Sequence, residues 1–296
     1  MTTPVIPDTD IRIFSPAKIN LALHVTGKRD DGYHTLDSLV AFASIGDEIV
    51  ITAADEFSFE IEGPFSASLD TTDQNNLVRV AAQSISQRFD LDLSIKITLT
   101  KNLPVSSGMG GGSGNAAATI YGLEKYYNLN ISDDVRTDML CTLGADVPVC
   151  YHGVTNGGLV RMEGIGEILT PITAQQPLAC LFVNPNQSCG TADVFKAMTA
   201  EQYSGTLPQT QDRFDLVNFI QNTHNSLHIA ACHLIPDIQT SLDNIAVIPH
   251  CEVARMTGSG ATCFGVFSEI KHAQNAANII QAAHPSWWVK PCFLNS

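Results

Sequence analysis

A chain of 296 residues with 44% hydrophobic side chains has apolar material for about two cores, which excludes disorder and collagen-like fibres. Thirty acidic against sixteen basic residues leave a net charge of −14, and Lys28-Arg29 is the one adjacent basic pair, so nucleic-acid and membrane partners are not expected. The longest apolar run, Leu178 to Val183, is six residues against the roughly 20 of a membrane helix, and the start MTTPVIPDTD lacks the basic and apolar regions of a signal peptide; a soluble, cytoplasmic protein is expected.

In chain order, Lys18 to Val25 alternates strictly. On a strand this puts Ile19, Leu21, Leu23 and Val25 on one face and Lys18, Asn20, Ala22 and His24 on the other, a polar face suited to a ligand. Asp31-Gly-Tyr-His-Thr-Leu36 reads as a turn, and Asp47 to Thr52 as a strand. Leu77, Val80, Ala81, Ile85 and Phe89 carry helical spacing over 77–89, and Ser94 to Thr100 reads as a strand with Ile95, Ile97 and Leu99 inward. A loop from Lys101 then leads into an Ala-rich helix from about Gly110 to Tyr127, and a further short helix ends at Gly144.

A second half begins near Gly157-Gly158, placing domains at 1–160 and 161–296. It holds a strand at Leu178–Val183, helices between about Phe214 and Ala231, a Gly258-Ser259-Gly260 turn into a strand at Thr262–Phe267, a helix at Ile270–Ala283 and a last strand at Trp287–Phe293. Strands and helices mix without strict alternation, so an α+β, two-domain protein is expected. The eight cysteines show no zinc or redox spacing and read as reduced, mostly buried small hydrophobes; no protein-built metal site is expected.

The most informative stretch is Pro104-Val105-Ser106-Ser107-Gly108-Met109-Gly110-Gly111-Gly112-Ser113-Gly114-Asn115, running from a strand into a helix. Five glycines among positions 108–114 let backbone N–H groups converge without Cβ obstruction, and the helix adds its free amides and dipole, a nest for a polyphosphate. No Lys-Ser/Thr follows the glycines as in a Walker A loop, and the dinucleotide register fails at Ser113 or Asn115, which removes a Rossmann oxidoreductase. Three polar clusters accompany the loop: Ser15-Pro-Ala-Lys-Ile-Asn20, Asp31 to Leu36, and Leu143-Gly-Ala-Asp-Val-Pro148. Taken singly, Lys18 is as well a solvated charge, Tyr33 or His34 a surface or core residue, and Asp146 a turn or cap residue.

Together, SPAKINLAL, DGYHTLDSL, NNLVRVA, the glycine loop, GADVP, TADVF and MTGSGATCF occur in an order that resembles the GHMP kinase superfamily over nearly the whole chain. The SPAKINL and DGYHTL pair narrows the resemblance to kinases of the cytidylyl alcohol 4-diphosphocytidyl-2-C-methyl-D-erythritol, in the non-mevalonate isoprenoid pathway. The resemblance implies a ribosomal-protein-S5-type N-terminal domain and a ferredoxin-like C-terminal domain, with ATP, Mg²⁺ and the alcohol meeting between them. It implies Asp146 as general base or charge-positioning group with Lys18 beside it. It further implies Asn76, Leu77, Lys101 and Asn115 for adenosine, Ser113 near phosphates and Mg²⁺, Tyr33, His34 and Phe195 for cytosine, and Asn20 and Thr191 for the rest of the substrate. Aromatic faces suit a base, and an imidazole suits the cytosine edge.

Some positions depart from the family pattern. Ser106-Ser107 stand where Gly or Ala is usual, Gly114 replaces a second serine, and His224-Asn225-Ser226-Leu227 lacks the acidic residue that usually follows the Asn. His24 reads as structural or peripheral. The competing readings are another small-molecule GHMP kinase, of homoserine or mevalonate type, and a non-catalytic nucleotide-binding regulator.

Overall fold

The computed structural model describes residues 10–173, 176–210 and 214–295; the N-terminal segment read above for a signal peptide lies, except for Asp10, outside them. The described residues fall into two compact units. One gathers the chain up to Ala17, Gly46–Val105 and Gly111–Asn156; the other gathers Lys18–Ile45, Ser106–Gly110 and the chain from Gly157 on. A single division at 160 follows chain order, whereas these units follow contacts. The difference arises because two long strands, β1 (Ile11–Lys28) and β2 (His34–Ala53), each give one half to each unit.

In the first unit, β3 (Ser58–Glu62) and β4 (Ile95–Thr100) join the C-terminal half of β2 in the order β3-β4-β2. β4 runs antiparallel to β2, with Ile97 opposite Ile51, and parallel to β3. Ile95, Ile97 and Leu99 point inward as the alternation requires. Helix α1 (Leu77–Phe89) has the expected bounds, but its buried stripe is Val78, Ala81, Ala82 and Ile85, with Val80 half-exposed. It packs on α2 (Gly111–Tyr126), and α3 (Asp133–Leu143) ends at Gly144, with φ +152°. Helix α4 (Val147–Thr155) was not among the expected elements; Pro148 sits in its first turn, where proline sacrifices no hydrogen bond.

The breaker-like Ser44-Ile-Gly46 does not interrupt β2. A Cβ on Gly46 would stand 2.1 Å from the Ser15 carbonyl oxygen, so this glycine permits a close backbone approach inside the strand. Gly114 has a similar reason, since a Cβ there would lie 2.7 Å from Ser15 Oγ.

The second unit pairs β5 (Leu159–Gly164) with β6 (Ile168–Ile172) and with the N-terminal half of β2, Leu39 opposite Arg161. Its main sheet comprises β7 (Leu178–Asn184), β8 (Cys251–Met256), β9 (Cys263–Phe267) and β10 (Trp288–Leu294) in the order β10-β7-β9-β8, antiparallel throughout. Counting these four alone gives the 4-1-3-2 order of a ferredoxin-like domain. Between β7 and β8 lie α5 (Thr191–Ala197), α6 (Leu216–Gln221), α7 (His228–Leu234) and α8 (Asp237–Ala246). Helix α9 (Ile270–Ala283), between β9 and β10, has its expected bounds and packs with α8 on the sheet. The chain is thus α+β with two domains.

None of the eight cysteines forms a disulfide; five are buried, Cys232 and Cys251 are half-buried, and Cys141 is exposed. Burial pushes the Cys292 thiol up to about 12, which makes it inert as a nucleophile. Ile97 is fully buried at the centre of the first unit's core. Ile97→Ala is expected to cost about 2–5 kcal/mol of stability, read from the urea midpoint at constant slope.

Candidate functional site

The glycine loop crosses from one unit to the other at Gly110–Gly111. In the second unit, Ser106, Gly108 and Gly110 have φ of +51°, +75° and +65°, alternating with residues of ordinary hand. Such alternation turns successive N–H groups toward one side and forms an anion nest. The carbonyls are held on the protein side: Ser106 O accepts from Cys189 N at 3.2 Å, Ser107 O from Thr262 N at 3.2 Å and Met109 O from Lys18 N at 3.0 Å. The Ser106-Ser107 departure is accommodated, with Ser107 buried and Ser106 exposed.

The loop rests on the Gly258-Ser259-Gly260 turn, backbone against backbone. A Cβ on Gly108 would stand 2.6 Å from the carbonyl oxygens of Thr257 and Gly260, and a Cβ on Gly258 would stand 2.4 Å from Gly108 O. Gly258 and Gly260 also have positive φ. Asn225 secures the turn by donating from Nδ2 to Met256 O at 2.9 Å and Gly258 O at 2.8 Å. This is what the segment without its acidic residue contributes, and the Asn alone suffices for it.

The same turn gathers substrate-side residues. Thr257 Oγ1 accepts from Asn20 N at 2.8 Å, and Ser259 Oγ meets Thr191 Oγ1 at 3.0 Å. Asn20 donates from Nδ2 to Ser38 Oγ at 2.7 Å, and Ser38 donates to Ala22 O; Asn20 Oδ1 is buried without a hydrogen-bond partner. A buried acceptor left open in this way fits a substrate donor such as a hydroxyl. Lys18 and His24 share the buried β1 face with Asn20. His24 is occupied structurally, Nδ1 on Gly205 O at 2.8 Å and its ring 4.2 Å from that of His224.

At the start of β2, His34 stacks on Phe195 of α5, ring centroids 4.9 Å apart, with Tyr203 edge-on at 6.0 Å. The structure therefore brings His34 and Phe195 together, too closely for a base between them. Tyr33 is exposed beside an Asx turn, its N–H donating to Asp31 Oδ1. Burial, followed by the nearby Lys28 charge, lowers the His34 pKa and favours the neutral imidazole.

In the first unit, Asn76 caps α1 through Oδ1 to Val78 N at 3.0 Å, and Leu77 approaches Gly112 at the start of α2. Asn115 lies one turn into α2, buried, with Oδ1 unpartnered. The start of α1, with Asn76 and Leu77, thus meets the start of α2 through Leu77 and Gly112; Ser113 is half-exposed. Lys101 is buried and its charge is engaged by Asp47, whose other oxygen accepts from Asn102 N and Leu103 N. Burial lowers the Lys101 pKa and Asp47 opposes that shift. Lys101 therefore braces the strand before the loop and underlies Gly111, where a Cβ would stand 3.0 Å from Nζ. Asp146 occupies the N-cap position of α4, half-buried, and makes no cap hydrogen bond.

Motif reading missed Ser38, Thr257, Ser259 and Tyr203. Ser38 lies inside the DGYHTLDSL stretch and Thr257 and Ser259 inside MTGSGATCF, whereas Tyr203 lies in no recognised motif.

The family model for the GHMP kinases N terminal domain matches residues 76–154. A Cereibacter sphaeroides (strain ATCC 17025 / ATH 2.4.3) protein called 4-diphosphocytidyl-2-C-methyl-D-erythritol kinase is 42% identical over 282 residues, 94% of this chain and 97% of its own length. The chain belongs to the 4-diphosphocytidyl-2-C-methyl-D-erythritol kinase family. The Paramagnetospirillum magneticum (strain ATCC 700264 / AMB-1) member is 40% identical, with 97% and 100% covered. A crystal structure of a 4-(cytidine 5'-diphospho)-2C-methyl-D-erythritol kinase superposes with a TM-score of 0.79 at 26% identity, covering 96% of this chain and 99% of that one. A homoserine kinase from Cytophaga hutchinsonii and a mevalonate kinase from L. major share the fold, each with a TM-score of 0.69, at 14% and 16% identity.

In this family member Gly258→Ala places a methyl group against the Gly108 carbonyl. It is expected to raise KM for ATP about tenfold or more while far-UV circular dichroism is preserved, since strain of this kind amounts to about 1–3 kcal/mol. An unchanged KM would show that the turn does not hold the loop.

Proposed function

We propose that this kinase transfers the γ-phosphoryl group of ATP to the 2-hydroxyl of 4-diphosphocytidyl-2-C-methyl-D-erythritol in the non-mevalonate isoprenoid pathway. The observation that carries the cytidylyl specificity is the His34–Phe195 stack with its neutral imidazole, in a chain 42% identical to a relative named for that substrate. A neutral imidazole has one donor and one acceptor, as the N3/N4 edge of cytosine does. We assign the base to the aromatic faces of Phe195 and Tyr33, and its edge to His34. Asn20 Oδ1 and the Thr191 hydroxyl are assigned to the remainder of the substrate.

On the nucleotide side, Asn76, Leu77 and Asn115 are assigned to adenosine, and the amides of 104–115 to the phosphates. Lys101 is assigned there as a brace. The hydroxyl oxygen attacks the γ-phosphorus in line, the bond to the β,γ-bridging oxygen breaks, and ADP leaves. Asp146 orients the hydroxyl and accepts its proton, and Lys18 offsets charge developing on the transferring group. Mg²⁺ is assigned to the phosphates and water, with Ser113 as the protein's hydroxyl ligand. Mg²⁺ neutralises phosphate charge when bound. No described helix is long and apolar enough to cross a membrane, and we place the reaction in the cytoplasm.

The test is ATP consumption with the cytidylyl alcohol, homoserine and mevalonate in parallel. Turnover is expected with the first alone; turnover with either of the others instead would refute the assignment. Asp146→Asn keeps volume and removes charge. It is expected to lower kcat by about 10²–10⁴-fold with the Kd for ADP unchanged. Because the pKa of His34 is lowered, its neutral form persists through pH 7–8. Affinity for cytidine 5′-diphosphate is therefore expected to be flat there, and to fall below the ordinary histidine pKa of about 6.5, as the ring protonates. His34→Gln, which does not titrate, should abolish that fall.

A further inference from the structure

Asp37 and Arg161 form a buried ion pair within the second unit, on the paired strands β2 and β5. Arg161 Nε donates to Asp37 Oδ1 at 2.9 Å and Nη2 donates to Oδ2 at 2.6 Å, a two-pronged fork. Glu163 lies at the edge of the pair, 3.8 Å from Arg161 Nε. A buried ion pair alone contributes little net stability, because desolvation offsets the attraction. Here both members have further partners. Asp37 Oδ2 also accepts from Leu207 N at 2.8 Å, and Arg161 also donates to Leu207 O at 3.2 Å and Pro208 O at 3.4 Å. The pair is thus a clamp on the backbone of one segment, residues 203–208.

Toward its head the strap has fastenings of its own. Gly205, Thr206 and Pro208 are exposed, and only Leu207 is buried. Ser204 N donates to Val25 O at 2.8 Å, Ser204 Oγ meets His224 Nε2 and Ser226 Oγ, and Gly205 O meets His24 Nδ1. At its head, Tyr203 stands edge-on to His34, interplanar angle 78°, on the ring that also stacks on Phe195. Asp37 lies only three residues along β2 from His34, so the clamp fixes both sides of the imidazole: the strand that carries it and the strap that borders it.

We propose that Asp37 and Arg161 are positioning residues for cytosine recognition, acting by clamping the 203–208 strap so that Tyr203 holds the His34 ring in its reading orientation. This rests on the assignment of His34 and Phe195 to cytosine. A charge pair that served folding alone would have no need of three backbone contacts to one exposed segment. Replacing both members by apolar residues of similar size removes the clamp without leaving a buried charge unpaired.

The experiment is calorimetric titration of the full-length kinase with cytidine 5′-diphosphate and, separately, ADP. Asp37→Leu/Arg161→Met is expected to weaken cytidine 5′-diphosphate binding about tenfold, leaving the Kd for ADP within about twofold and the thermal midpoint within a few degrees. Tyr203→Leu retains the ion pair and removes the ring edge; it is expected to weaken cytidine 5′-diphosphate binding by about threefold or more, again with ADP unaffected. Tyr203→Leu also decides the matter if the double variant fails to fold. Unchanged cytidine 5′-diphosphate affinity in either folded variant, or an equal loss for both nucleotides, overturns the inference while leaving the cytosine assignment intact. If the unaltered kinase binds ADP but not cytidine 5′-diphosphate, the cytosine assignment fails and the inference with it.

Discussion

Backbone packs directly on backbone where Gly108 meets Gly258 and Gly260, and much of the second unit's functional architecture depends on that contact. No side chain fits there: added Cβ atoms would stand 2.4 to 2.6 Å from carbonyl oxygens of the opposing turn. The contact sets the height of the glycine loop, whose carbonyls at 106, 107 and 109 are accepting hydrogen bonds. Its alternating backbone hand turns the N–H groups to one side. The hydroxyls bordering the same turn, Thr257 and Ser259, fasten Asn20 and Thr191. The loop amides and the Asn20 and Thr191 side chains thus share one fulcrum, held from behind by Asn225.

An acidic chain that handles two polyphosphates needs local, not global, attraction. Net charge is −14, and the first unit's Lys101 is matched by Asp47, so that lysine brings no net positive charge to the loop. Oriented amides of the loop and the first turn of α2 supply positive potential without altering net charge.

Much of this was legible in the sequence where a local pattern coincides with a local cause. The 77–89 and 270–283 helices are amphipathic and show their bounds, and the Ile95-Ile97-Leu99 alternation marks β4. Illegible features depended on contacts distant in the chain. The strand expected at Asp47–Thr52 runs back through Gly46, which the Ser15 carbonyl approaches closely, to His34, and helix α4 after Asp146 was not expected at all. Strand β5 is buried at four successive positions, which erases the period that would announce it. Among the site residues, motif order indicated His34 and Phe195, 161 positions apart and in contact. Their neighbour Tyr203 lay in a segment with no motif and no periodicity, and Arg161 in a strand the alternation did not reveal.

The most direct test of the central claim is ³¹P nuclear magnetic resonance of the kinase with ATP, Mg²⁺ and 4-diphosphocytidyl-2-C-methyl-D-erythritol. The expected result is a new phosphomonoester resonance growing in step with ADP while the cytidylyl diphosphate resonances persist, with carbon coupling that places the ester at C2. ADP accompanied by inorganic phosphate alone, or an ester at another position, would contradict it.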